Sequence, residues 1–459
     1  LQYGGCFCKE CVRGFRAWLQ RLPADELPFA LREEDLSAFH YGEWLLARGY
    51  DFKREREATP LYWHYIRFQR EAITRYFGEL TDYAREYAAS KGRSILVSGN
   101  FFNLVDHYYA LEPKVDLVIT EMRSTRYRQP AWYRYVAGFA GAKPVVVVEN
   151  PYGGVVPDLV ARLNSGKGYD LFRMSLFEAA ALGANMSVPY GAWLGSIEQD
   201  AFYPPHELCV EIQTFLAEHE HLLSRTTFNE VAVVYSVESE FQREAARAGV
   251  GEQARPFWDI SEALCDARIP YDVLFFPDGE LRADTLSLDD LRRYRSVVLP
   301  DCRFLTDMQA DVLAAYLESG GWLVTLGEIG TNLPEPVRTT ISTHPALIRL
   351  TESELFDPEQ LPGGLQVRFD AAEKLNLAVN IQRVADGAAV HLIRYDFDEE
   401  TDRVGTLESL TLELRLPSQF DTCRVFAPAG APSGTLTVSG DVHRIELRDV
   451  PLYTVVHLT

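Results

Sequence analysis

Short apolar runs separated by helix-length segments set the rhythm of the first half of the chain. Residues 94–98, 115–120, 144–148 and the run around 184–188 are each short, β-branched and almost wholly apolar. Such runs suit parallel strands covered on both faces. Residues 11–20 and 61–89 instead carry apolar side chains at helical spacing, the second with many aromatics and Arg/Glu pairs. The repeat predicts βα units, and a polar residue stands at or just after the end of each predicted strand: Asn100, Glu121, Glu149 and Tyr190. In a (β/α)8 barrel that position is the C-terminal rim, where active sites are built. Four such strands amount to at most half of an eight-stranded barrel.

From Glu230 the pattern starts again. Residues 231–235, 271–275, 296–300 and 321–325 read as strands with room for one helix between neighbours, the signature of a small doubly wound sheet. Beyond about Gly364, residues 378–382, 388–395, 409–416, 434–439 and 442–447 alternate or run apolar between Asp-Gly and Ser-Gly-Asp turns. That texture predicts an antiparallel β domain. The expected division is 1–228, 229–363 and 364–459.

Composition narrows the function classes. With 47% hydrophobic and 24% charged residues the 459-residue chain is an ordinary globular protein, which excludes disorder and collagen-like repeats. Its longest apolar runs fall far short of the ~20 residues a membrane helix needs. A net charge of −21 repels phosphate backbones and anionic lipid, and the nearest thing to a basic patch, residues 53–56, is interrupted by Glu55. No nucleic acid and no membrane is therefore expected as partner. No charged segment leads into an apolar one near the start, so no signal peptide is visible and a cytoplasmic location is the expectation. Because the chain opens at Leu1 inside what reads as a motif, a preceding segment is also expected.

Seven cysteines are too few for a disulfide scaffold of this length. Cys6, Cys8 and Cys11 are crowded at spacings that strain disulfide pairing but allow convergence on one soft cation. They supply three of the four ligands of a tetrahedral zinc site, and a fully Cys-ligated zinc would be structural. Reduced structural thiols and a redox cluster are the other readings, although no helix N-terminus or cation-rich setting that would lower a thiol pKa is visible in the sequence. His40, His64 and His107 lack metal-ligand spacing. Cys302, after a predicted strand, raises an amidotransferase-type nucleophile as an alternative. Asp301 and Arg303 are too bulky for that turn, and no His-x-Glu follows.

The stretch Tyr3-Gly-Gly-Cys-Phe-Cys-Lys-Glu-Cys-Val-Arg-Gly-Phe-Arg-Ala-Trp-Leu19 resembles a segment of glycoside hydrolase family 42 β-galactosidases. There, Asn-Glu-Tyr-Gly after the fourth barrel strand leads into Cys-x-Cys-x-x-Cys and Phe-Arg-x-Trp-Leu. Pro60-Leu61, Arg67-Phe68, Ser98-Gly-Asn-Phe101, Val148-Glu149 and Ala181-Leu-Gly-Ala-Asn185 resemble later family segments in order, and residues 230–330 resemble the trimerisation domain. The resemblance implies the C-terminal half of a TIM (β/α)8 barrel, a flavodoxin-like α/β trimerisation domain and a small antiparallel β domain. It implies a β-galactosidase-like glycosidase with a retaining two-carboxylate mechanism, a carbohydrate substrate and a homo-oligomer, most simply a trimer.

Residue by residue, the family's nucleophile falls on Glu149 and its acid/base on Gln2, which cannot donate and recover a proton. Glu121, ending the preceding strand, is the substitute, its plainer reading being an ion pair with Arg123 or Arg126. Gln2, Tyr3, Asn100, Phe101, Tyr190 and Trp193 are the candidate sugar contacts, because rings stack on sugar faces and amides bond their hydroxyls. A related exo-glycosidase such as an α-L-fucosidase, and a sugar-binding pseudoenzyme favoured by Gln2, remain open.

Overall fold

Helix α1 (Lys9–Leu19) turns Val12, Phe15, Trp18 and Leu19 inward, a spacing that puts all four on one face. It meets α2 (Tyr41–Ala47) and the long α3 (Tyr62–Ser90) in an aromatic core of Phe15, Tyr41, Trp44, Tyr65 and Phe68. The His40 imidazole caps α2 by accepting the Glu43 N–H at 3.2 Å. This computed structural model describes residues 6–24, 26–28, 31, 35–52, 59–122, 124–149, 153–187, 204–246, 255–351, 356–370 and 375–459.

Four parallel strands follow in chain order: β1 (Ser98–Asn100), β2 (Leu117–Met122), β3 (Val145–Glu149) and β4 (Asn185–Met186). Helix α4 (Pro130–Ala140) joins β2 to β3, and α5 (Val156–Asn164) and α6 (Tyr169–Ala181) join β3 to β4. This is a barrel-like βα core. Its faces are unequal, where the sequence predicts burial on both. Val118, Thr120 and Met122 are buried, whereas Leu117, Ile119 and Glu121 are only half-buried. The first face shares a core with α4; the second, which a closed barrel turns inward, is partly open in a four-stranded sheet. The first strand also starts later than residues 94–98 predict. The Val97 N–H goes to the Asp116 carboxylate at 2.7 Å, and Leu96 is 78% exposed.

The second sheet contains β5 (Val231–Ser236), β6 (Asp272–Phe276), β7 (Ser296–Pro300), β8 (Trp322–Leu326) and an additional β9 (Leu347–Leu350). All are parallel, in the order β6-β5-β7-β8-β9 of a flavodoxin-like sheet. Helix α7 (His206–Glu218) packs on α6, with Phe215 against Phe177, and α8 (Val237–Ala246) and α9 (Pro256–Asp266) flank the sheet's first strands. Helix α4 docks closely on β6. A Cβ at Gly138 would lie 2.5 Å from the Val273 carbonyl oxygen, so only glycine permits this approach.

Strands β10 (Val367–Asp370), β11 (Leu377–Val384), β12 (Gly387–Arg394), β13 (Phe397–Asp398), β14 (Arg403–Val404), β15 (Leu407–Arg415), β16 (Cys423–Phe426), β17 (Ser433–Ser439), β18 (Val442–Val450) and β19 (Tyr453–Leu458) complete the chain. Two antiparallel sheets, β10-β15-β18-β17 and β11-β12-β19-β16, enclose Ile381, Val390, Leu412, Ile445 and Val456. Arg134 ties all three parts together. Only 6% exposed on α4, it donates to the Tyr271 carbonyl at 2.6 Å before β6 and to the Val379 carbonyl at 2.8 Å in β11. Among the described residues, no helix is long and apolar enough to cross a membrane.

Candidate functional site

The C-terminal ends of β1, β2 and β3 bring Asn100, Glu121 and Glu149 to one edge of the barrel-like sheet. The Asn100 amide donates to a Glu121 carboxylate oxygen at 2.6 Å, while its own oxygen accepts the Phe102 N–H at 2.9 Å. The second bond fixes which end of the amide faces Glu121. It depends on a backbone turn in which Phe102 and Leu104 both take φ of +48°, a conformation unusual for bulky side chains. The Glu121 N–H closes this turn on the Phe102 carbonyl at 2.7 Å. An exposed amide and a half-buried carboxylate thus sit together on the partly open face, joined by one side-chain bond and held by two bonds that the backbone makes.

The other predicted contacts separate. Glu149 ends β3, its backbone in register with Met122 and one position beyond the Glu121–Val148 pair. Its side chain lies outside the described residues, as do Gln2, Tyr3, Tyr190 and Trp193. Phe101 does not line the open face. At 3% exposure it packs edge-on against Phe139 and Tyr108, because alternation from Asn100 turns it toward the helices.

The three crowded thiols do converge: the sulfur atoms of Cys6, Cys8 and Cys11 lie within 4.8 Å of one another. Cys8 occupies the N-cap position of α1, correcting the expectation that no helix N-terminus is near. The Cys11 backbone N–H, with thiol contacts from Cys6 and Cys11, lowers the Cys8 thiol to about 7; burial pushes Cys11 up to about 12. Three soft donors in one cluster suit a thiophilic d10 cation, with one position left for a further ligand. Phe7, between these cysteines, packs on Tyr41, Phe52 and Tyr65, and the Tyr65 hydroxyl donates to the Cys6 carbonyl. A cation held here would clamp the start of α1 to the aromatic core.

Two further groups bear on the chemistry. Asp301 does adopt a left-handed turn after β7, with φ of +51°, despite its bulk. Its carboxylate makes this possible by pairing with Arg243 at 3.1 Å and accepting the Glu328 N–H at 3.2 Å. Cys302 beside it is fully buried, and that burial pushes its thiol well up, so it offers no nucleophile. Glu178 on α6 escaped the sequence reading. It is wholly buried, accepts the Tyr395 hydroxyl at 2.6 Å and the Gln129 N–H at 2.9 Å, and burial raises its pKa to about 8. A lone Glu in an apolar helix was the available signal.

No family model matches the chain. An α-agarase of Thalassotalea agarivorans is 24% identical over 424 residues, covering 85% of this chain and 27% of the agarase. The chain thus spans about a quarter of the length of that relative. Among solved structures, a GH42 β-galactosidase from G. stearothermophilus superposes with a TM-score of 0.60 at 13% identity, covering 100% of this chain and 77% of the other. An α-L-fucosidase isoenzyme 2 from Paenibacillus thiaminolyticus gives 0.53 at 13% identity, with 99% and 76% covered. The protein therefore has the fold of GH42-like glycoside hydrolases, from its barrel-like core through its antiparallel sheets.

Proposed function

We propose that the chain belongs to a glycoside hydrolase that removes a terminal sugar in the β-galactosidase manner, by a retaining two-carboxylate mechanism. The observation that carries this reading is the Asn100–Glu121 pair on the barrel rim, within a chain that follows a glycosidase fold from end to end. In the proposed reaction the Glu149 carboxylate attacks the anomeric carbon as the glycosidic bond breaks. Glu121 gives its proton to the departing oxygen. Glu121 then takes a proton from water, whose oxygen displaces Glu149 and frees the sugar. Retention needs the two carboxyl groups about 5–5.5 Å apart. Gln2, Tyr3, Tyr190 and Trp193 are proposed as sugar contacts beside Asn100, while Phe101 supports the rim from beneath.

The three units 1–228, 229–363 and 364–459 take the roles of half-barrel, trimerisation-type module and β domain in this proposal. Cys6, Cys8 and Cys11 would hold a structural zinc. A related exo-glycosidase is the second enzymatic reading, supported by the α-L-fucosidase likeness. A non-catalytic sugar binder is the third, supported by glutamine at the acid/base position. A panel of aryl glycosides, galactosides and fucosides included, decides among them with the full-length protein. Turnover of the β-galactoside supports the first reading, turnover of another glycoside alone the second, and binding without turnover the third.

A further inference from the structure

A cavity of about 360 Å3 opens beside the rim, between the loops that follow β1 and β2 and the start of α9. Its volume falls within the ~300–1,000 Å3 typical of small-ligand sites. Its walls combine two kinds of surface. Trp132 and Trp258 present near-parallel rings, 6.4 Å between centroids and 17° apart, one from each parallel-sheet unit. Arg126, Arg128 and Arg255 face the same space with Glu262 as the one carboxylate among its described lining residues. That local excess of positive charge stands out on a protein of net charge −21. Arg128 is paired with Asp266 at 2.7 Å; Arg126 and Arg255 form no ion pair among the described residues.

Two helices also begin at this cavity. Gln129 and Arg255 are the N-cap residues of α4 and α9, and neither side chain caps its helix. The positive ends of both helix dipoles therefore add to the arginines. Polar groups in the wall are unsatisfied. Gln129 is 8% exposed, yet its Nε2 has no partner, and neither does Nε1 of Trp132 or Oδ1 of Asn103. Buried donors and acceptors left unpaired are costly unless a ligand or water completes them.

We propose that this cavity binds an anionic sugar, a ring carrying a sulfate ester or a carboxylate. The tryptophans would take its apolar face, Arg126 and Arg255 its charge, and Gln129 and Asn103 its hydroxyls. Because the cavity adjoins the loop that orients Asn100, such a ring would belong to a neighbouring residue of a glycan held at the rim. The inference rests on the sugar-acting reading above, but it is tested by binding alone. Lack of turnover on aryl glycosides would sink the hydrolase reading and leave this one standing.

Titration calorimetry of the full-length protein would use a sulfated galacto-oligosaccharide, its desulfated counterpart, an oligogalacturonide and inorganic sulfate. One anionic oligosaccharide should bind about tenfold or more tighter than the neutral one at low salt, and which of the two does so identifies the charged group. The preference should shrink as salt is raised. In Arg126→Gln/Arg255→Gln, two exposed positions whose replacement leaves the core intact, it should fall to within about twofold. Equal binding of neutral and anionic oligosaccharides would overturn the proposal, as would a preference that survives in the double variant. Inorganic sulfate binding as tightly as the sulfated oligosaccharide would also overturn it, by reducing the cavity to a simple anion site.

Discussion

The Asn100 amide holds a Glu121 carboxylate oxygen at 2.6 Å across two adjacent parallel strands. Because Phe102 pins the other end of that amide, Glu121 has one favoured orientation on the open face. If Glu121 is the general acid, Glu121→Gln should slow glycosides with poor leaving groups by about 10²–10⁴-fold and activated aryl glycosides far less. Asn100→Ala should follow the same leaving-group trend with a smaller loss, since it frees the carboxylate without removing it. A uniform loss across leaving groups, measured as kcat/KM, would point to substrate positioning instead.

Glu149 is the test of the family correspondence. Glu149→Gln keeps the shape of the side chain and removes the charge that attacks the anomeric carbon. Turnover should drop by about three orders of magnitude or more, with the thermal melt essentially unchanged. Near-normal activity would place the nucleophile on another residue.

The cysteine cluster predicts a metal-dependent melt. One zinc per chain should appear in elemental analysis of the wild type and vanish in Cys8→Ser. A cation at a hundredfold excess over its Kd contributes about 2.7 kcal/mol, so a chelator should lower the wild-type Tm by several degrees and leave that of Cys8→Ser unmoved. Equal metal content in both proteins would rule out Cys8 as a ligand.

What the sequence makes legible follows from how each element is buried. Strand β7 is buried along its whole length, and its apolar run from 296 to 300 coincides with Ser296–Pro300. Strand β9, Leu347–Leu350, is half-buried at a sheet edge and carries an exposed Arg349, so it offers no comparable run. Helix α1 begins at Lys9 rather than Cys11, and those two residues conceal that Cys8 sits at a helix N-terminus. Asn100 and Glu121 stand out as strand-end polar residues. Their bond does not, because it depends on the left-handed Phe102 turn and on the Asn100–Ile119 register, neither of which leaves a local signature.

The buried contact between Glu178 and Tyr395 joins α6 to the segment after β12, and its charge state should make stability depend on pH. Both bonds described for the carboxyl fall on Oε1, leaving Oε2 without a partner in a fully buried site. Burial is the main cause of the raised pKa, Tyr395, the Gln129 N–H and Arg128 oppose it, and Glu262 adds to it. The folded-state value is about 8 against an ordinary 4.5. Between those values the folded protein holds a proton that the unfolded chain has released. Stability from this group is therefore present in acid and is lost as pH rises through the window, at up to about 1.4 kcal/mol per pH unit. Glu178→Gln cannot ionise, yet its amide oxygen can still accept from Tyr395 and Gln129. Urea unfolding at several values from about pH 5 to about pH 8 should show the wild type losing stability relative to this variant. Comparison with the variant cancels the other titrating groups, which are common to both. Parallel stability profiles would mean that Glu178 titrates alike in the folded and unfolded chains, and that Arg128 and the two hydrogen bonds offset the whole cost of burying its charge.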